Sequence, residues 1–162
     1  VMGFGIGFAF AMLSLLGLSI ETYRALDGLI SVQNQPLHLA LPEDQAFLAF
    51  KAVLLAYVAA HPEITGAIPV SALDLEVPVS AALKDAGAYV TNANGVVTLQ
   101  SWAAMSQVNI LKTITRARGD LSIGSAQGTT WTTPLAGTMG ALPIAVTTGH
   151  VVSVVTFSKG SF

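Results

Sequence analysis

From Val1 to Ile20 the chain reads VMGFGIGFAFAMLSLLGLSI, with no charged side chain and only Ser14 and Ser19 polar. About 20 apolar residues at ~1.5 Å rise per residue match the hydrocarbon core of a bilayer. The run therefore predicts a transmembrane helix, which Glu21 to Ile30 extend to residues 1–30. The two serines can return their hydroxyls to carbonyls one turn earlier, so they are tolerated in lipid. Gly3, Gly5, Gly7 and Gly17 would each weaken a helix in water by up to about 1 kcal/mol. Between packed helices they instead permit close backbone approach. Gly3 and Gly7 form a GxxxG pair, and Gly3, Gly7 and Gly17 are the candidate helix-packing face.

A cleaved signal peptide is the competing reading of this segment. It needs a basic region ahead of a shorter apolar stretch and a small-residue cleavage site. No Lys or Arg precedes the run, and Leu18-Ser19-Ile20 suits cleavage poorly, so a retained single-pass anchor is expected. The flank from Glu21 to Asp27 holds Arg24 against Glu21 and Asp27, which gives no signal for cytoplasmic retention. The expected topology is N-terminus inside, with the rest of the chain on the non-cytoplasmic side.

A length of 162 residues leaves room for one domain and a tail. Only 10% of residues are charged, and the formal net charge of -2 is spread thinly. No basic patch is present, so nucleic acid is not an expected partner. Cysteine is absent, which removes disulfides, thiolate nucleophiles and cysteine zinc sites together.

Past the anchor, Pro36 and Pro42 bracket a polar stretch, and residues 31–41 read as a linker. Residues 42–162 then form the expected extracytoplasmic domain. Pro42 at the first helical position, followed by Glu43 and Asp44, suits a helix start. Phe47, Phe50, Val53, Leu54, Tyr57 and Val58 recur at helical spacing, Leu48 and Leu55 widen the stripe, and His61-Pro62 closes it. The run Val79 to Ala86 lies in a loop region punctuated by Gly66, Pro69 and Pro78. Ala88–Thr91 and Val96–Leu99 alternate on either side of Asn94-Gly95, a strong hairpin signal. A second helix is expected from Trp102 to Arg116, with Met105, Val108, Ile110, Leu111 and Ile114 as apolar members and Gly119 beyond its end. Thr129–Thr133 and Val151–Phe157 are candidate strands, the latter central because its apolar run is nearly continuous. Pro134 and Pro143 fall between them, where no strand is expected. The fold class is α+β: an N-terminal transmembrane helix, then two helices packed on a small antiparallel sheet.

Chemistry is hard to find in this pattern. His38, His61 and His150 stand far apart among apolar or small residues. His150, Asp120 and Ser125 could be drawn as a triad, but Gly124-Ser125-Ala126-Gln127-Gly128 misses the Gly-x-Ser-x-Gly elbow by one place. Gly3-Phe4-Gly5-Ile6-Gly7 lies inside the apolar run and Gly119 to Gly128 lacks a lysine, so neither is a phosphate loop. Glu43, Asp44, Asp74 and Glu76 read as helix-start and surface acids. No enzyme activity, metal, cofactor or small-molecule substrate is expected. Trp102 and Trp131 are candidate interface anchors, with burial in the core as the ordinary alternative for each.

Phe50-Lys51-Ala52-Val53, Tyr57, Ala60-His61-Pro62, Thr65-Gly66 and Ile68-Pro69 resemble the PilM family of type IVb pilus biogenesis proteins. Trp131-x-Thr-Pro134, Leu142-Pro143 and Gly149-x-Val-Val152 add to the likeness, which covers most of residues 45–155. The resemblance implies a single-pass protein of the bacterial inner membrane, its domain in the periplasm, needed for pilus assembly without an enzymatic step. Its implied partners are membrane lipid, other pilus proteins and copies of itself. A divergent or minor pilin, a structural subunit of an extracellular filament, is the alternative. Pilins combine an apolar N-terminal helix with an α+β head but carry a glutamate at the fifth mature position, where this chain has Gly5. A small anchored binding module from another system is a third class.

Overall fold

The structure, a computed structural model, describes residues 41–158. The expected membrane helix over 1–30, with Gly3, Gly7 and Gly17, lies outside the described residues, as do the linker up to residue 40 and His38. Among the described residues no helix is long and apolar enough to cross a membrane.

Helix α1 spans Glu43–Ala60. Pro42 sits one place earlier than expected, at the N-cap, and its carbonyl accepts the Gln45 and Ala46 amides. Phe47, Phe50, Leu54 and Val58 form the fully buried stripe, flanked by half-buried Leu48, Val53, Leu55 and Tyr57. The helix stops at His61, whose Nδ1–H donates to the Tyr57 carbonyl at 2.8 Å while its ring stacks on Tyr57. Strand β1 (Gly66–Ile68) and a 3-10 turn (Val70–Ala72) follow. The stretch read as a loop around Val79 contains a short helix, α2 (Val77–Ala82), started by Pro78 in its first turn.

Strands β2 (Gly87–Ala93) and β3 (Val96–Ala103) form the expected hairpin. Asn94 and Gly95 both take positive φ, 54° and 77°, as a tight turn between twisted strands requires. The second helix, α3, is shorter than expected: it runs Gln107–Arg116, not from Trp102. Trp102 belongs to β3, paired with Gly87 on one side and Val152 on the other. Strand pairing on both edges overrides a weak helical periodicity there, and the true start is Ser106, whose hydroxyl accepts the Asn109 amide.

Strands β4 (Ile123–Thr133), β5 (Gly137–Val146) and β6 (Val151–Ser158) complete an antiparallel sheet in the order β1-β2-β3-β6-β4-β5. The expectation of a central β6 holds, since it lies between β3 and β4. The expectation of no strand at Pro143 does not. Residue 143 falls within β5, where pairing to β4 jumps from Ala141 to Val146, so the ring sits where the ladder needs no amide.

The sheet carries a core on each face. On one, α1 and α3 cover Val97, Leu99, Ala103, Ile123 and Val151. On the other, β4 turns back at Gly128 (φ 74°), bringing Thr132 against Gly124 of the same strand. That doubling carries β5 across the sheet and closes a smaller core of Ala126, Trp131, Leu142, Val146 and Val152. Buried Gln100 of β3 is its polar clasp: Nε2 donates to the Ile144 carbonyl and Oε1 accepts the Ile144 amide, both at 3.0 Å. Gln100→Leu should strip both partners from Ile144 and cost about 2 kcal/mol. Amide exchange would check this, with Ile144 and its β5 neighbours accelerating while α1 keeps its protection.

Candidate functional site

Polar side chains are concentrated where the helices meet the sheet. Lys51 of α1, mostly buried, donates to Asp120 Oδ2 at 2.5 Å and to Ser122 Oγ at 2.7 Å. Ser122 Oγ lies 3.3 Å from Ser153 Oγ, and the Ser122 amide donates to Asp120 Oδ1. Burial alone would raise the Asp120 carboxyl, but hydrogen bonds from Lys51 and Ser122 outweigh it and hold the group below the usual aspartate value. A serine beside a lysine invites a nucleophilic reading. Here Lys51 Nζ donates to both Asp120 and Ser122, so it meets Ser122 as a hydrogen-bond donor and not as a base. The arrangement pins α1 to the turn before β4.

The stabilising sign of this pin is fixed by the depressed carboxyl. Its contribution is fully present above the unfolded-state value of about 3.9 and is lost as pH falls through the lower folded value. Asp120→Asn should therefore lower stability at neutral pH and flatten the pH dependence below about pH 4. Urea midpoints of the two proteins across that range would check it.

Two further pins tie the start of α1 to α3 and to the chain after α2. Asp44 takes its expected place in the first turn of α1 but is also buried, and it accepts from Arg116 Nε at 2.7 Å. Helical phase turns position 44 inward beside Phe47, and α3 supplies the compensating charge. Glu43 accepts from Asn109 Nδ2 at 2.8 Å and lies near Lys84. Asp74 and Glu76 are exposed, as read.

The residues that could be drawn as a triad are not assembled. Asp120 is engaged with Lys51, Ser125 Oγ accepts from Gln107, and the buried His150 Nδ1 bonds to neither. Among the described residues no three His, Asp or Glu are grouped to hold a metal ion. Trp131 is 5% exposed and forms the centre of the smaller core. Trp102, half-buried, lies against Gly87 and packs on the same core. The structure thus brings the two tryptophans to one cluster under the folded-back hairpin.

What the molecule presents outward is the far face of α3. Val108 is 62% exposed and Leu111 52% exposed, one turn apart. Leu121 and Leu135 are exposed beyond the helix end, and Leu135 Cδ1 reaches within contact distance of a β-carbon built at Gly119. Lys112 and Arg118 lie among them and make no ion pair among the described residues. The sequence groups Val108 and Leu111 with Ile110 and Ile114 as the apolar members of this helix without separating its faces. The missed signal was phase: at 100° per residue, Ile110, Thr113 and Ile114 share one face, while Val108, Leu111, Lys112 and Thr115 share the opposite one.

A protein-family model, PilM, matches residues 18–154. No curated protein and no solved structure matches the chain.

Proposed function

Since the chain belongs to the PilM family, we propose that it is a non-enzymatic, membrane-anchored component of a type IV pilus system that acts in pilus assembly. The observation that carries the pilus-related role is the extent of the family match, which runs through the described domain from its first helix into β6. The absence of catalysis is supported by the fate of the polar side chains. Lys51, Asp120, Asp44 and Arg116 are spent on holding helices to each other and to the sheet. Anchoring rests on the uncharged run Val1–Ile20 alone. In this reading the span contacts lipid in the inner membrane, and the domain faces the periplasm and meets other pilus proteins through exposed surface such as that of α3.

Fractionation tests the proposal. Filaments are sheared from producing cells and pelleted, and the protein is followed in the pellet and in inner membranes. Retention in the inner-membrane fraction, with loss of pili on deletion, is the expected result. Abundance in the sheared filaments would overturn the assembly role in favour of a structural subunit.

A further inference from the structure

We infer that copies of this chain dock head to tail, the outward face of α3 in one copy seating on the Asp74–Val77 segment of the next. Both halves of the contact are present on each molecule and are chemically complementary. The first is apolar and basic: exposed Val108 and Leu111, with Lys112 alongside and Arg118 just past the helix end. The second is apolar and acidic: Asp74 and Glu76 flank Val77, which at 79% is the most exposed of the large apolar side chains described. None of these four charges forms an ion pair among the described residues. Elsewhere among the described residues, Lys51–Asp120, Arg116–Asp44 and Lys84–Glu43 are paired. Lys112 and Arg118 thus lie on one surface and Asp74 and Glu76 on another, while Asp85, also outside these three pairs, sits past the end of α2.

Geometry makes the contact intermolecular. Helix α1 packs against both α2 and α3, which lie at different places in the helical layer. The acidic segment belongs to the connection between β1 and β2 at one end of the sheet, while α3 packs on β4 towards the other. A contact joining two different patches is heterologous, and it extends into a row of copies unless its rotation happens to close a ring. Charge pairing of this kind sets register and orientation, while the apolar side chains supply the buried area. The inference is independent of whether the row lies in a membrane platform or elsewhere in the pilus machine.

Residues 1–162 contain no cysteine, which allows a direct test in cells. Val77→Cys and Leu111→Cys replace exposed side chains, and the folding of each variant is checked by its thermal transition. Under mild oxidation, a mixture of the two single variants should give a disulfide-linked dimer, either variant alone should give none, and the double variant should give a ladder. Adding Lys112→Glu with Arg118→Glu should reduce the adduct about tenfold, and combining that pair with Asp74→Lys and Glu76→Lys should restore it. No adduct in the mixture overturns the inference, because it leaves the surface to a different partner. A homodimer from either single variant alone also overturns it, by showing a symmetric contact. The fractionation outcome above does not depend on these adducts, so the two readings fail separately.

Discussion

Trp131→Ala should lower the stability of the domain by about 4 kcal/mol, within the range for truncating a buried tryptophan. The side chain is enclosed by Ala126, Leu142, Val146 and Val152, with Trp102 and Val154 packed at the margin. This cluster is small and separate from the one under α1, so it has few other large groups with which to collapse around the void. The loss should be visible as a drop in urea midpoint, with exchange first rising along β5. If Trp131 instead served mainly to bind a partner, the variant would keep its midpoint and lose only association. That result would contradict its enclosure.

Gly124→Ala should be nearly as damaging, at about 3 kcal/mol, for a steric reason. A β-carbon there would fall on the carbonyl oxygen of Thr132 and within 2.9 Å of the Trp131 ring. The obstacle is backbone of the same strand, so relief requires β4 to unfold its own doubling. Gly128 offers the control. A β-carbon there meets nothing within 4 Å, but its φ of 74° disfavours any other residue, so Gly128→Ala should cost only about 1–2 kcal/mol. Chemical denaturation of the two variants separates crowding from backbone conformation. Equal midpoints would mean that β4 does not bend back on Gly124.

Local signals in the sequence were legible wherever short-range chemistry decides the outcome. Pro42 with two acids behind it marks the start of α1, His61-Pro62 marks its end, and Asn94-Gly95 sets a hairpin whose register follows directly. The apolar run Val151–Phe157 implies a central strand, and β6 lies between β3 and β4. The misreadings at Trp102 and Pro143 share a cause, which is that they depend on contacts far away in sequence. Trp102 is extended because β2 and β6 claim both of its edges, and Pro143 is tolerated because β5 leaves the β4 ladder to meet Gln100. Asp44 is buried because Arg116, 72 residues later, is there to meet it. The exposed face of α3 could have been read from helical phase once the helix was started at Ser106 instead of Trp102.

The position of β6 has a consequence for how the protein comes to be folded in the cell. Until that strand is in place, β1-β2-β3 and β4-β5 share no hydrogen-bonded edge and are two unconnected pieces of sheet. Each would display an open strand along the side that β6 later fills, a shape prone to pairing with the wrong chain. Assembly must therefore wait until synthesis has passed Ser158, and the earlier strands have to be kept apart during that interval. Non-local strand pairing of this sort is slow to form. Among the described strands β6 is the one that joins the two pieces, so the domain becomes committed to its shape only when that strand pairs.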